Sequence, residues 1–228
     1  MKQVVLITGG TQGIGLGLAK AFMATGAEVA VCGRSDGTLD AFSRDFPVAL
    51  AIKADVTMAQ DRAAMLEAVS ERFGRIDVLV NSAGRFVERN FLAPDAAVGL
   101  EDEVALNLTA PIQLTSEVLE RWPALQSIIF VSSGFALVSP ARAPTYGAVK
   151  AGLHGFAEGL RRQLAPPWNA HPRTASHHDG YTGNCIRNAQ ENDHGRGGQD
   201  HAGSLGEEEA NGATGADEAA SNVAADRT

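Results

Sequence analysis

The sequence predicts an α/β fold, a parallel sheet doubly wound by helices, with its C-terminal strands missing and a disordered tail in their place. Three observations carry this expectation. Short apolar runs alternate with segments of helical periodicity over the first 165 residues, a glycine-rich turn follows the first of those runs, and apolar residues nearly vanish beyond Pro166.

Residues 1–165 hold 15 Lys and Arg against 17 Asp and Glu, together with almost all of the chain's Val, Ile, Leu and Phe, which is a globular composition. Residues 166–228 hold 4 basic and 10 acidic residues, and Ile186, Leu205 and Val223 are their only Val, Ile, Leu or Phe. So few apolar side chains do not offset an ordering entropy of roughly 1–2 kcal/mol per residue. The expected organisation is therefore one globular domain over 1–165 and an acidic, low-complexity, disordered tail over 166–228. With no 18-residue apolar run and no secretory pattern at the start, the expectation is a soluble cytoplasmic protein with no membrane partner. Only Cys32 and Cys185 are present, which argues against a disulfide framework, and the net charge of −8 argues against nucleic acid.

The strands read in order as "VVLIT", "EVAVCG", "VALAIKADV", "IDVLVNSAG" and "SIIFVSS", each bounded by turn residues and separated from the next by apolar positions three or four apart. Near-continuous apolar strands belong to a sheet covered on both faces, and right-handed crossovers make that sheet doubly wound and Rossmann-like. Between the first strand and first helix lies "TGGTQGIG", Thr8 to Gly15, whose glycines allow a tight turn and close approach of a phosphate to the helix N-terminus. A P-loop is excluded, since no Gly-Lys-Ser/Thr follows. At the end of the second strand, where an acidic residue would hold a ribose 2′-hydroxyl, the chain has Gly33 followed by Arg34. A guanidinium there suits a 2′-phosphate, which predicts NADP(H) over NAD(H).

"PTYGAVK" places Tyr146 and Lys150 four residues apart on one helix face. A tyrosine of ordinary pKa, about 10, is a poor acid or base at neutral pH, and an adjacent cation lowers that value toward the working range. Ser133 stands at the carboxyl end of the fifth strand, the edge where open parallel sheets bind ligands.

Taken together these residues resemble the short-chain dehydrogenase/reductase family. The resemblance runs in order through the Thr-Gly-x-x-x-Gly-x-Gly loop, the Asp55-Val56 pair, "NSAG" at Asn81 to Gly84, Asn107, Ser133 thirteen residues before the tyrosine, and Tyr146-x-x-x-Lys150. Within the family, "VCGRS" and "LHGFAEGLRRQL" look most like the bacterial oxidoreductase associated with teichoic-acid D-alanylation operons. The family likeness implies hydride transfer between NADP(H) and a small-molecule carbonyl or secondary alcohol. By that resemblance Tyr146 is the general acid/base, Lys150 lowers its pKa and holds the nicotinamide ribose, Ser133 orients the carbonyl, and Asn107 supports a proton-relay water. The cofactor would be held by Gly9, Thr11, Gln12, Gly13, Ile14, Gly15, Arg34, Asp55, Val56, Asn81, Ala83 and Gly84, with Tyr146 and Lys150. Ser82 departs from the usual second Asn. Helices near 99–121 and 146–164 resemble the family's assembly helices, which implies a homo-oligomer.

After Leu164 the family expects a sixth strand, a turn over the nicotinamide and a seventh strand, and none of these is legible. Read one base forward, the codons possible for Ser176 to Gly183 permit Pro, Thr, Met, Thr, Asp, Thr, Pro, which is like the absent turn. The expectation is a frameshift near Pro166, in the gene or its sequencing record, and a chain less stable and less active than one with those strands restored. Five of the six histidines fall in this tail at no metal-ligand spacing, so no metal site is expected. The competing reading is a non-catalytic nucleotide-binding protein.

Overall fold

β1 (Val4–Thr8) is buried at every residue, as a strand covered by helices on both faces must be. It leads into α1 (Gly13–Ala24), β2 (Glu28–Gly33), α2 (Asp36–Asp45), β3 (Leu50–Lys53), α3 (Ala59–Phe73) and β4 (Val78–Asn81). A long loop then reaches α4 (Leu100–Val104), a π-helical turn (Ala105–Thr109), α5 (Ala110–Arg121), β5 (Ser127–Ser133), a 3-10 turn (Gly134–Ala136) and α6 (Pro144–Leu164). The computed structural model describes residues 1–165 and the backbone of 185–191. These lie in one compact unit, Met1–Asp193, and a second unit, His194–Thr228, falls outside the described residues. Among the described residues no helix is long and apolar enough to cross a membrane.

With β6 at Cys185–Glu191, the sheet order is β3-β2-β1-β4-β5-β6, parallel throughout, so the doubly wound architecture is as expected. Side chains alternate across the sheet. Leu6, Leu79, Ile128 and Phe130 pack with Met65, Leu114 and Leu153 on one face, while Val5, Ile7, Val29, Val31 and Val131 pack with Ala19 and Phe42 on the other. Strand order reverses at β1, whose neighbours are β2 and β4, and the connections diverge there to open a crevice at the carboxyl ends.

One strand lies where the sequence reading expected tail. β6 (Cys185–Glu191) pairs with β5 from Ser127↔Cys185 to Ser133↔Glu191. Its composition gave no signal, since Ile186 is its only Val, Ile, Leu or Phe, whereas an edge pairing is made by backbone groups that every non-proline residue carries. The other expectations for 166–228, disorder and a changed reading frame, fall on residues outside those described.

At the amino ends of the strands, Asp77 ties three of them together. Its carboxylate accepts from the Val4 amide at 2.8 Å and from Arg75 Nε at 2.9 Å. Its backbone donates to the Val4 carbonyl and accepts from Gln126 and Ser127, which begins β5 in register. Asp77→Ala is expected to lower stability by about 2–3 kcal/mol, since a buried charged acceptor and its partners lose each other. Urea unfolding checks this, and a loss under about 0.5 kcal/mol, the range of ordinary surface substitutions, would show the strand starts to be held without it.

Candidate functional site

The crevice at the β1/β4 divergence is a cleft of about 450 Å³ lined by the glycine loop on one side and by Arg34, Asp55, Val56, Ser82, Ala83 and Gly84 on others. Gly13 has φ +52°, the left-handed region that favours glycine. A Cβ on Gly15 would collide with the Gly9 carbonyl oxygen, so only glycine lets α1 begin this close to β1. No side chain caps α1, and no acidic residue occupies its first turn. Its leading amides are thus turned to the cleft with the positive end of the helix dipole, an arrangement suited to phosphate.

Thr8 sets the cleft's inner wall. Its hydroxyl accepts from the amides of Ser82 and Ala83, each at 3.0 Å, and donates to the Val80 carbonyl at 3.4 Å. Ser82 is therefore held through its backbone amide, a contact that does not depend on its side chain. Asn81 does not line the cleft. It is buried below, with Nδ2 donating to Thr115 Oγ1 at 3.2 Å.

At the far end of the cleft, Arg34 is 62% exposed and meets Asp55 Oδ2 at 3.4 Å. Burial pushes the Asp55 carboxyl up, but bonds from the Thr57 hydroxyl and amide, with Arg34, outweigh it and hold the group below the usual carboxylate range. Ser35 and Thr38 also line this end, and Thr11 Oγ1 donates to Thr38 Oγ1 at 3.3 Å. Sequence reasoning missed these two hydroxyls, although "RSDGT" directly after a strand is a helix-start signal. Beneath them, burial pushes the Cys32 thiol up to about 12, with the Gly9 backbone pulling the other way. Cys32 therefore packs as a neutral thiol and offers no nucleophile.

Asn107, Ser133, Tyr146 and Lys150 gather at the other end, where β4 and β5 finish. Pro111 has no N–H to give the Asn107 carbonyl, and the helix widens at this point into the π-turn closed by Ala110 N–H on the Ala105 carbonyl. The Asn107 side chain, 1% exposed, clasps Arg85 from both sides, its Oδ1 accepting at 3.0 Å and its Nδ2 donating at 2.9 Å. Lys150 Nζ donates to the Val131 carbonyl at 2.8 Å and lies 5.6 Å from the Tyr146 ring centroid. Ser133 Oγ accepts from Phe135 N–H at 3.2 Å. Gly84 links the two ends, because a Cβ there would stand 2.8 Å from Asn107 Oδ1 and 3.7 Å from Lys150 Nζ. The structure thus brings together the predicted site residues, with Asn81 alone displaced beneath them.

A sequence profile described as short chain dehydrogenase matches residues 3–168. The chain belongs to the short-chain dehydrogenase family. The match stops where the expected family pattern stops. The oxidoreductase DltE of Bacillus subtilis, itself uncharacterized, is 38% identical over 165 residues, covering 70% of this chain and 65% of that one. An L-fucose dehydrogenase of Bos taurus is 30% identical over 159 residues, covering 69% and 59%. Among solved structures, a short-chain dehydrogenase from Streptomyces avermitilis superposes with a TM-score of 0.67 at 33% identity, covering 73% of this chain and 62% of that one. A variant of the actinorhodin polyketide ketoreductase determined with NADPH gives 0.67 at 30%, covering 71% and 65%. The chain spans less than two thirds of the length of these relatives.

The tight start of α1 is expected to discriminate between two neighbouring glycines. Gly17 is exposed within α1, with open space where a Cβ would go, so Gly17→Ala should add about 0.5–1 kcal/mol. Gly15→Ala should instead destabilise. Urea melts of the two proteins separate them, and parallel gains would mean the loop has room to yield.

Proposed function

We propose that the chain is an NADP(H)-dependent oxidoreductase that exchanges a hydride with a carbonyl or secondary alcohol, with Tyr146 handling the proton. The observation that carries this reading is the arrangement of one cleft with an uncapped, glycine-bounded helix start in its wall, Arg34 at one end, and Tyr146, Lys150, Ser133 and Asn107 gathered beyond Gly84 at the other. The residues fit a dinucleotide, since Gly9, where a Cβ would meet Ala83 at 3.0 Å, lets the loop pack against the chain leaving β4 while Gly13 and Gly15 line the open cleft. Bound NADPH would supply a hydride to the carbonyl carbon in the reductive direction.

The protein's own groups then serve the oxygen. Ser133 Oγ already accepts from the Phe135 amide, which leaves its O–H to donate to the carbonyl oxygen and orient it. Tyr146 gives its proton to that oxygen as the new C–H bond forms, leaving a phenolate. Lys150, fixed by the Val131 carbonyl, places a cation beside the ring and favours that ionised form. The Asn107 carbonyl, which receives no N–H from Pro111, would hold a water that returns a proton toward Lys150.

The NADP(H) preference rests on the neighbourhood of Arg34. Gly33 offers no carboxylate to a ribose hydroxyl, and Arg34, exposed and loosely bound to Asp55, can turn to a 2′-phosphate with Ser35 and Thr38 beside it. Arg34→Ala is expected to bring the affinities for NADPH and NADH together in fluorescence titrations. An unchanged ratio would remove Arg34 from cofactor choice.

Tyr146→Phe is expected to lower carbonyl reduction by about 10²–10⁴-fold, the usual scale for a lost general acid, with NADPH affinity little changed. Turnover at the parent rate would exclude Tyr146 from the chemistry, and NADPH binding without turnover in the parent protein would favour a non-catalytic role.

A further inference from the structure

Beyond Gly84, Tyr146 is flanked by phenylalanine. Phe86, two residues beyond Gly84, stands edge-on to Tyr146 with ring centroids 4.9 Å apart and planes at 78°. Phe135, two residues beyond Ser133, faces the same ring at 6.4 Å and 81°, and the two phenylalanines are 6.1 Å apart. Tyr146 is only 3% exposed while Phe86 is 40% exposed, so a molecule approaching the phenol meets aromatic carbon first. Leu137 and Val138, just past Phe135, are 69% and 75% exposed and carry the apolar surface outward.

This wall is held in place. Asn107 clasps the Arg85 backbone directly before Phe86, and Arg89 N–H donates to the Arg142 carbonyl at 2.8 Å just after it. The Arg142 guanidinium lies 5.2 Å from the Phe86 ring centroid and bonds Glu88 at 2.6 Å, so its charge is matched within the wall. The nearby Ser139 hydroxyl donates to the Pro144 carbonyl at 3.5 Å.

We infer that the substrate carbonyl or alcohol carries an aryl or comparably large apolar substituent, packed against Phe86 and Phe135, and not a polyhydroxylated chain. The inference rests on the oxidoreductase reading above. Aromatic groups gain from edge-on and offset contact with such rings, whereas hydroxyls pressed against them lose water without gaining partners.

Benzaldehyde and glyceraldehyde test this, because they present the same formyl group on a phenyl ring and on a dihydroxyethyl chain. With NADPH, kcat/KM is expected to favour benzaldehyde by about tenfold or more, and Phe86→Ala or Phe135→Ala to shrink that ratio by a similar factor. Phe86→Leu, which keeps an apolar wall, should retain part of the preference and controls for misfolding. Saturation-transfer NMR of the NADP⁺-loaded protein with benzyl alcohol and glycerol gives a readout independent of turnover. Benzyl alcohol binding that weakens in Phe86→Ala, without any reduction of either aldehyde, would support the substrate class while the hydride-transfer reading alone fails. Turnover of both aldehydes with a ratio unmoved by either alanine variant would overturn the class and leave that reading standing. A preference for glyceraldehyde, or no binding of benzyl alcohol, would overturn the class as well.

Discussion

The site depends first on the Thr8 hydroxyl. Parallel strands that part at a switch point leave backbone amides facing a gap, and unpaired buried amides are costly. Thr8 fills this gap by accepting from both Ser82 and Ala83 while donating to Val80. The chain leaving β4 is therefore fixed against β1 at the point where the glycine loop leaves on the other side. Ala83 then sits close enough to Gly9 that no side chain fits between them, and Gly84 is delivered beside Asn107 and Lys150. One hydroxyl thus fixes both the width of the cleft and its approach to Asn107 and Lys150.

A second device holds the surroundings of Tyr146. Arg89 and Glu103 are both buried and meet at 3.0 Å, with Thr145 donating to the same Glu103 oxygen at 2.9 Å. Arg89 Nη1 also donates to the Ala96 and Val98 carbonyls. The loop bearing Phe86, the helix leading to Asn107 and the start of the helix bearing Tyr146 therefore share one buried charge pair. Such a pair adds little net stability against an apolar replacement, yet removing one partner typically costs about 3–5 kcal/mol. Its effect is to penalise other arrangements of the three segments. Glu103 Oε1 has no hydrogen-bond partner among the described residues, so the pair is retained despite an unsatisfied acceptor.

What could be read from the sequence is what acts locally. The glycine loop, Arg34 after Gly33, and Tyr146 with Lys150 are short-range patterns whose geometry follows from a strand-to-helix turn or one helical repeat. The Thr8 bonds span more than 70 residues and the Arg62–Glu117 pair spans 55, so no local pattern announces them. The phenylalanine wall is hidden for the same reason, since Phe86 and Phe135 follow different strands and meet only once β4 and β5 are neighbours. β6 escaped because backbone pairing leaves little trace in composition.

The two ends of the cleft rest on different parts of the sheet. The glycine loop, Arg34 and Asp55 follow β1, β2 and β3, and Arg62 secures that side by donating to the Val56 carbonyl at 2.9 Å while gripping Glu117. Ser133 ends β5, Lys150 hangs from its Val131 carbonyl, and Tyr146 stands one turn earlier on α6. Beyond α6, the described strand β6 pairs with β5, which carries Ser133, and not with the strands that lead to Arg34 and Asp55. The end of the cleft at Arg34 is lined by residues that precede β4, Gly33, Ser35, Thr38 and Asp55 among them, whereas the surroundings of Tyr146 are built on β5 and α6. Arg34 meets Asp55 and Tyr146 meets Phe86 and Phe135, so substitutions at these two positions are expected to act nearly additively.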